Sequence, residues 1–267
     1  MDKLIKKKKL ISVIVPTFNS EGTILSTIKS IFEQKIIYDI EIIIIDDNSM
    51  DKTIKLVKSI KIKPNFKIKI IKNKKNMGSG YSRKIGIKKS RGYYIAFLDS
   101  DDCWLENKLI NQIKFMESIP NAVFTYSDFL EERTIKGKLM YFLIRTPNRV
   151  SLEKNKFINR IPNSSVLLLS KIAKQVKYPE NRLRNDFIYW NKILTLNKKI
   201  FAHNFHPGKP YFIYGSNPGI SNNKFKLVFK QWLVYRNSFK FSYLESVYGL
   251  IINIISSNKK KIFSERY

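Results

Sequence analysis

Cysteine is nearly missing from this 267-residue chain: Cys103 stands alone, which excludes an intramolecular disulfide and a cysteine-ligated metal cluster. A lone thiol suits a reducing cytosol without requiring one. Histidine is almost as scarce. His203 and His206 lie far from any Ser or acid pattern that would suggest a nucleophilic triad, and stay open as ligands to metal or phosphate, or as neither. Long apolar runs are lacking too. The basic N-terminal stretch is followed only by Leu10 to Val15 before Pro16, too short for a signal-peptide core. Nothing approaches the roughly 20 residues of a spanning helix; the nearest run is Val247 to Ile255. A soluble or peripheral protein is expected. Acidic residues are few, 21 against 50 basic ones, for a formal net charge of +29. Such an excess fits nucleic acid, an anionic membrane surface or a phosphorylated substrate. It equally fits lysines spread over solvated faces by composition alone.

With acidic groups so few, the places where they gather carry information. Ile42-Ile43-Ile44-Ile45 runs straight into Asp46-Asp47-Asn48-Ser49-Met50-Asp51, and Tyr94-Ile95-Ala96-Phe97-Leu98 into Asp99-Ser100-Asp101-Asp102. Short continuous apolar runs mark strands buried in a parallel sheet, and ligands bind just beyond the carboxyl ends of such strands. Two acidic tips on one sheet edge gather more negative charge than a pocket holds alone. A hydrated divalent cation carrying a phosphate is the simplest partner.

The surrounding pattern supports such a sheet. Strand-like Leu10–Val15, Glu41–Ile45, Lys67–Ile71 and Tyr93–Leu98 alternate with helix-like Thr23–Gln34, Asp51–Ile60 and Gly80–Ser90. This order predicts an α/β fold, a Rossmann-like, mostly parallel sheet flanked by helices. Beyond it the period weakens. Helices are expected over Leu105–Ser118 and Phe187–Leu196, strands over Ala122–Ser127 and Val166–Leu169, and no period marks His206 to Asn223. Phe225, Val228, Phe229, Trp232 and Tyr235 define one face of a further helix, with Lys226 and Lys230 opposite. A more uniformly apolar segment, Tyr243–Ile255, and Lys259-Lys260-Lys261 complete the chain's basic end.

Several clusters could carry chemistry. In extended backbone, residues two apart point the same way, so Asp99 and Asp101 can share one cation, or a cation and a ribose. The plainer alternative is a solvated turn capping the next helix. Asp47, at a strand end, is placed to accept from a nucleobase imide N–H, whereas Asp51 or Ser49 can serve merely as a cap. Pro16-Thr17-Phe18-Asn19, with Glu21, faces the same crevice or is an ordinary strand-to-helix turn. Asn76-Met77-Gly78-Ser79-Gly80 and Arg83 would let backbone and guanidinium close on a diphosphate. No Gly-Lys-Ser/Thr follows and the dinucleotide fingerprint is incomplete, so ATP hydrolysis and NAD chemistry have no support. Asn185-Asp186, ahead of Tyr189 and Trp190, reads either as a helix cap or as a general base facing an aromatic, sugar-binding wall.

As a set, Val13-Ile14-Val15-Pro16-Thr17-Phe18-Asn19, Ile45-Asp46-Asp47-Asn48-Ser49-x-Asp51-x-Thr53, Asn76-x-Gly78, Arg83 and Asp99-Ser100-Asp101-Asp102 resemble family 2 glycosyltransferases of the GT-A fold. The likeness runs in unbroken order over residues 10–130. Asn185-Asp186 with Trp190 looks like that family's acceptor-side acidic motif. Asn185 replaces its usual acidic residue or Gln, and Ser82 and Lys84 depart from the Ala-Arg-Asn common around Arg83. The resemblance implies a nucleotide-sugar site of Pro16, Thr17, Phe18, Asn19, Glu21, Asp47, Asn76, Gly78, Arg83, Asp99 and Ser100. It implies Mn2+ or Mg2+ on Asp101 and Asp99, Asp186 as base, and Trp190 on the acceptor side. A UDP-sugar is the favoured donor. The acceptor is a hydroxyl of a glycan or lipid-linked molecule in bacterial surface polysaccharide synthesis. The Gln-x-x-Arg-Trp motif and membrane spans of the processive polymerases are missing, so a single, inverting addition is implied. The expected division is a transferase domain over 1–220, its nucleotide-sugar half at 10–130 and acceptor half at 131–220, with a basic, amphipathic helical extension over 221–267.

That extension suits attachment to an anionic inner leaflet, or simply closes the core. A cytoplasmic location is expected, with or without peripheral contact at the inner face of the membrane. Tyr214-Gly215-Ser216-Asn217 and Asn222-Asn223-Lys224 are candidates for an acceptor loop. Two other functions compete. A nucleotidyltransferase making a nucleotide sugar would place a basic Gly-rich loop where Pro16-Thr17-Phe18-Asn19 lies. A basic nucleic-acid-binding protein fits the charge but not carboxylates at strand ends, which repel phosphate, and no nucleic-acid partner is expected.

Overall fold

In a computed structural model of the chain, residues 9–215, 224–262 and 265–267 are described. Strands β1 (Leu10–Thr17) and β2 (Asp39–Asp46) are buried at every position but the first. Burial on both faces requires cover on both, and alternate side chains divide accordingly. Ile11, Val13 and Val15 pack with Ile24, Ile28 and Ile31 of α1 (Ile24–Phe32), while Ile14, Ile43 and Ile45 pack with Ile87 of α3 (Ser79–Lys89). With α2 (Thr53–Lys58), β3 (Phe66–Lys72) and β4 (Tyr94–Phe97), this gives the expected βαβαβαβ unit. Its strands run in the order β3-β2-β1-β4, parallel throughout, with Val13 opposite both Ile42 and Ala96.

The second half is mixed rather than parallel. It contains β5 (Cys103–Trp104), α4 (Lys108–Ser118), β6 (Phe124–Tyr126), β7 (Asp128–Ile135), β8 (Lys138–Ile144), β9 (Arg149–Val150), α5 (Leu152–Asn155), a 3-10 turn over Asn163–Ser165, β10 (Leu167–Leu169), α6 (Ser170–Ala173), α7 (Asn185–Thr195), β11 (Ala202–Asn204) and β12 (Pro210–Tyr214). β10 enters the large sheet between β4 and β6, antiparallel to both, and β11 and β9 complete that sheet. A second sheet has the order β13-β8-β7-β12-β5; its edge strand β13 is Glu265–Arg266.

Three features were not anticipated from the sequence. The β7–β8 hairpin turns on Lys136-Gly137, with φ of 50° and 76°, the doubly positive geometry of a tight hairpin turn. β12 lies in the stretch that shows no period. Of the acceptor-loop candidates, 216–217 and 222–223 fall outside the described residues. At the C-terminal end, α8 (Lys224–Leu233) leads to a continuous 20-residue helix, α9 (Tyr243–Ile262), longer than the expected segment. Val234 and Tyr235, between them, are buried against Phe187 and Ile188 of α7. Among the described residues no helix is long and apolar enough to cross a membrane.

Candidate active site

Parallel pairing brings the carboxyl ends of β1, β2 and β4 to one edge, where the loops leaving them bind one another. The Asn19 N–H donates to Ser49 Oγ at 3.0 Å, and Asn19 Oδ1 accepts from the Met50 N–H at 2.9 Å. Glu21 accepts from the Lys52 N–H at 2.9 Å while its own N–H donates to Asp51 at 3.0 Å. Contrary to expectation, Asn19 and Glu21 therefore tie loop to loop and do not line the cavity beside them. That cavity, about 560 Å³, does collect Pro16, Thr17, Phe18, Asp47, Asn76, Gly78, Arg83, Asp99, Ser100 and Asp101, joined by Arg182 and by Lys230 of α8.

Asp47 is buried and committed to the loop before α3. Its Oδ1 accepts from Asn73 Nδ2 at 2.7 Å and the Met77 N–H at 2.9 Å, and its Oδ2 from the Gly78 N–H at 2.6 Å. A carboxylate has about four lone-pair sites, so one remains on Oδ2. The turn requires Gly78, whose φ is +90° and where a Cβ would meet Arg182 Cγ at 3.1 Å. Arg182 itself donates to the Asn76 side-chain and main-chain oxygens at 3.0 and 2.9 Å.

Between β4 and α3 lies a buried ion pair. Arg83, 6% exposed, donates through Nη2 to Asp99 Oδ1 at 2.5 Å and through Nη1 to Asn185 Oδ1 at 2.6 Å. Burial opposes its charge, but Asp99 and then Tyr178 hold the guanidinium protonated, above its ordinary range. Its buried Nε finds no acceptor. Asn163 Nδ2 reaches the same Asp99 oxygen at 3.0 Å. Asp102 is enclosed, accepting from the Ser164 hydroxyl and from the Gly215 N–H, the latter at 3.0 Å. Desolvation, then the charges of Asp99 and Asp101, push its carboxyl well above the usual carboxylate range.

Beyond the pair a second cavity, about 830 Å³, shares Ser79, Arg83, Asp99, Arg182 and Leu183 with the first. Asp186, half-buried in the first turn of α7, lines it and accepts from Asn159 Nδ2 at 2.7 Å. Arg133, Arg160, Arg182 and Arg184 line the same space; Arg133 pairs with Glu131. Trp190 does not. One turn further along α7 the helix passes under the sheet, and the indole is 0% exposed. It packs against Phe97 of β4 and Phe124 of β6, with centroids at 5.6 and 5.1 Å. Its apolar area went into the core, which corrects the expectation of an acceptor wall.

Asn163, Ser164, Asn159 and Arg182 were not legible as site residues. Pro162-Asn163-Ser164-Ser165 signals a turn, but only the antiparallel insertion of β10 beside β4 carries that turn to Asp99. Among the described residues, no three His, Cys, Asp or Glu side chains form a metal-holding group. Asp99 and Asp101 nevertheless supply two hard carboxylate donors. The hydrogen bonds to Asp99 fall on Oδ1, and a cation would offset the mutual repulsion of carboxylates gathered at this strand end. Donors of this kind fit Mn2+ or Mg2+ whose remaining positions are filled by phosphate and water.

A mixed α/β sheet with a cavity of about 560 Å³ at the carboxyl edge of its parallel half is the architecture of the GT-A fold. S. aureus TarS, solved in complex with UDP-GlcNAc, superposes with a TM-score of 0.65 at 20% identity, over 90% of this chain and 70% of its own. PcManGT, a mannosyltransferase from Pyrobaculum calidifontis solved with GDP-Man and Mn2+, gives 0.62 at 14% identity, over 88% and 64%. The chain belongs to glycosyl transferase family 2, whose profile matches residues 12–190. It is 33% identical over 223 residues, 84% of each chain, to the UDP-Glc:alpha-D-GlcNAc-diphosphoundecaprenol beta-1,3-glucosyltransferase WfaP of Escherichia coli.

Proposed function

We propose that this glycosyltransferase moves one sugar from a UDP-sugar to a hydroxyl of a lipid-linked glycan in surface polysaccharide synthesis, inverting the anomeric centre. The observation that carries the reading is the meeting of two unlike cavities at Arg83 and Asp99. One has the contents expected for a nucleotide diphosphate, and the other offers a carboxylate among arginines. The names of WfaP's two substrates, UDP-Glc and a GlcNAc-diphospho lipid, support the same pairing.

In the smaller cavity, the half-exposed ring of Phe18 offers a stacking face to a base, and Asp47 Oδ2 keeps acceptor capacity for its imide N–H. Asp99 takes the ribose, while Arg83, Arg182 and Lys230 balance phosphate charge. Asp99 and Asp101 would hold Mn2+ or Mg2+, which when bound supplies charge neutralisation to the departing diphosphate. In the larger cavity, Asp186 takes the proton of the acceptor hydroxyl, held in place by the amide of Asn159. The acceptor oxygen bonds to the anomeric carbon on the face opposite the diphosphate. The bond from that carbon to the diphosphate oxygen breaks, and its electron pair leaves with UDP. One displacement needs one base and no covalent enzyme intermediate. The arginines around Asp186 fit an acceptor that carries its own diphosphate. Residues 221–267 serve this 1–220 domain as a basic extension, working at the inner face of the cytoplasmic membrane where such an acceptor lies.

Calorimetric titration with UDP, GDP, CMP and dTDP, with and without Mn2+, tests the donor side. UDP should bind best, more tightly with metal, and at least about tenfold more weakly to Asp101→Ala, a loss of about 1.4 kcal/mol. Equal affinity for all four, or no binding under any condition, would overturn the reading.

A further inference from the structure

α9 turns an unusual face outward. Leu244, Val247, Tyr248, Ile251, Ile254 and Ile255 are all exposed, from 36% at Val247 to 79% at Leu244, and Tyr243 beside them is 66% exposed. At 3.6 residues per turn these positions share one arc of about 140°. The exposed side of a helix is ordinarily polar. Here the only charged residue between Tyr243 and Ser256 is Glu245, and it is drawn aside to Lys156 at 3.0 Å. Among the described residues, the ring contacts of this face are those of Tyr243 with Trp232 and Tyr248 with Phe157.

The opposite face is fixed. Ser246 and Gly249 are buried there, and a Cβ on Gly249 would come within 2.6 Å of the Phe157 ring. Tyr235 Oη and Asn253 Nδ2 both donate to the Phe157 carbonyl, at 2.6 and 3.3 Å. Two residues further on, Asn159 and Arg160 line the larger cavity. The grip on α9 and the wall of that cavity are one segment.

We propose that the outer face of α9 is a docking surface for an anionic bilayer: the helix lies in the headgroup–acyl boundary without crossing it. α9 has the length of a span but not the apolar content: among the described residues no helix is long and apolar enough to cross a membrane. Charge favours lipid over a second copy of the chain. Two chains of net charge +29 would bring like fields together, whereas acidic headgroups attract them. Arg236 and Lys240 are exposed just before the helix, and Lys259, Lys260 and Lys261 occupy its end. Tyr243 and Tyr248 suit a boundary that is apolar on one side and wet on the other. The purpose of docking rests on the lipid-linked acceptor proposed above, because α9 would hold the larger cavity at headgroup level; the binding itself does not.

The test is co-sedimentation of the full chain with phosphatidylcholine vesicles containing or lacking about 30% phosphatidylglycerol, at about 0.15 M and about 1 M salt. The wild type should partition to the anionic vesicles and keep part of that binding at high salt. Ile251→Glu/Ile255→Glu should reduce partitioning at least tenfold, with melting temperature and UDP affinity unchanged; Leu244→Glu, at the most exposed position, gives an independent reading if the pair fails to fold. Undiminished partitioning of folded variants would show charge alone at work and overturn the proposal. So would a wild type that ignores vesicles, or one that light scattering shows as a dimer split by the same substitutions. UDP binding with no vesicle binding sinks the anchor and leaves the donor site standing.

Discussion

The smaller cavity takes nearly all its lining from residues 16–101, from loops that directly follow β1, β2 and β4 or open α3, whereas the larger is assembled from β7, β8, β12, the 159–164 turn and α7. In the first, polar groups are satisfied loop to loop, as with Asp47 and the N–H groups of Met77 and Gly78. In the second, arginines from separate segments line the same space as one half-buried carboxylate, Asp186. A repeating βαβ unit delivers its strand ends to one edge automatically. A cavity made of insertions exists only once the whole chain has folded. On the proposed reading, donor-side recognition is local, acceptor-side recognition is global, and Arg83 with Asp99, which line both cavities, is the joint between them.

Asp186→Asn should separate the two sides most sharply. Transfer is expected to fall by about 10²–10⁴, the usual contribution of a positioned base, while calorimetry shows UDP affinity unchanged. A parallel loss of UDP binding would mean that the cavities are not independent. Arg83→Met should instead damage both. It leaves Asp99 facing Asn163 alone and costs about 2–3 kcal/mol in chemical denaturation, less than a wholly buried pair because the Asp99 side chain is still 29% exposed. Unchanged stability would show that the pair is not the joint.

Gly78→Ala confines the damage to the donor side. A left-handed backbone and the contact with Arg182 should cost about 1 kcal/mol or more and weaken UDP several-fold, with kcat at saturating donor retained. The smallest effect is expected at His203, on β11 in the global half. Burial and then Arg149 hold its imidazole below the ordinary 6.5. The unfolded chain therefore takes up the proton first as pH falls, so this contribution is full above about 6.5 and is lost from there towards the lowered folded value. Melting curves of wild type and His203→Gln should run parallel above that pH and diverge below it, the wild type falling faster.

The same contrast explains what was legible. Ile42–Ile45 and Tyr94–Phe97 declare buried strands because burial on both faces leaves no polar alternation, and their acidic ends needed no tertiary knowledge. The β7–β8 hairpin was harder, since Glu131-Glu132-Arg133 interrupts its alternation and Lys136-Gly137 is a brief signal. Trp190 misled because an aromatic four residues after Asp186 shares its helical side, yet one turn suffices to pass from cavity rim to core. Asn19 and Glu21 lie in the right loop, but their side chains were consumed by the neighbouring loop.

By itself the sequence determined the parallel half of the sheet and the gathering of carboxylates at its edge, because strand burial and side-chain alternation are properties of short segments. Only the tertiary structure decided which charges pair. Asn185 lies 102 residues from the Arg83 it accepts from, and Asn163 lies 64 from Asp99. A hydrogen bond forms or fails within a few tenths of an ångström, and no local pattern of residues encodes a distance across the fold.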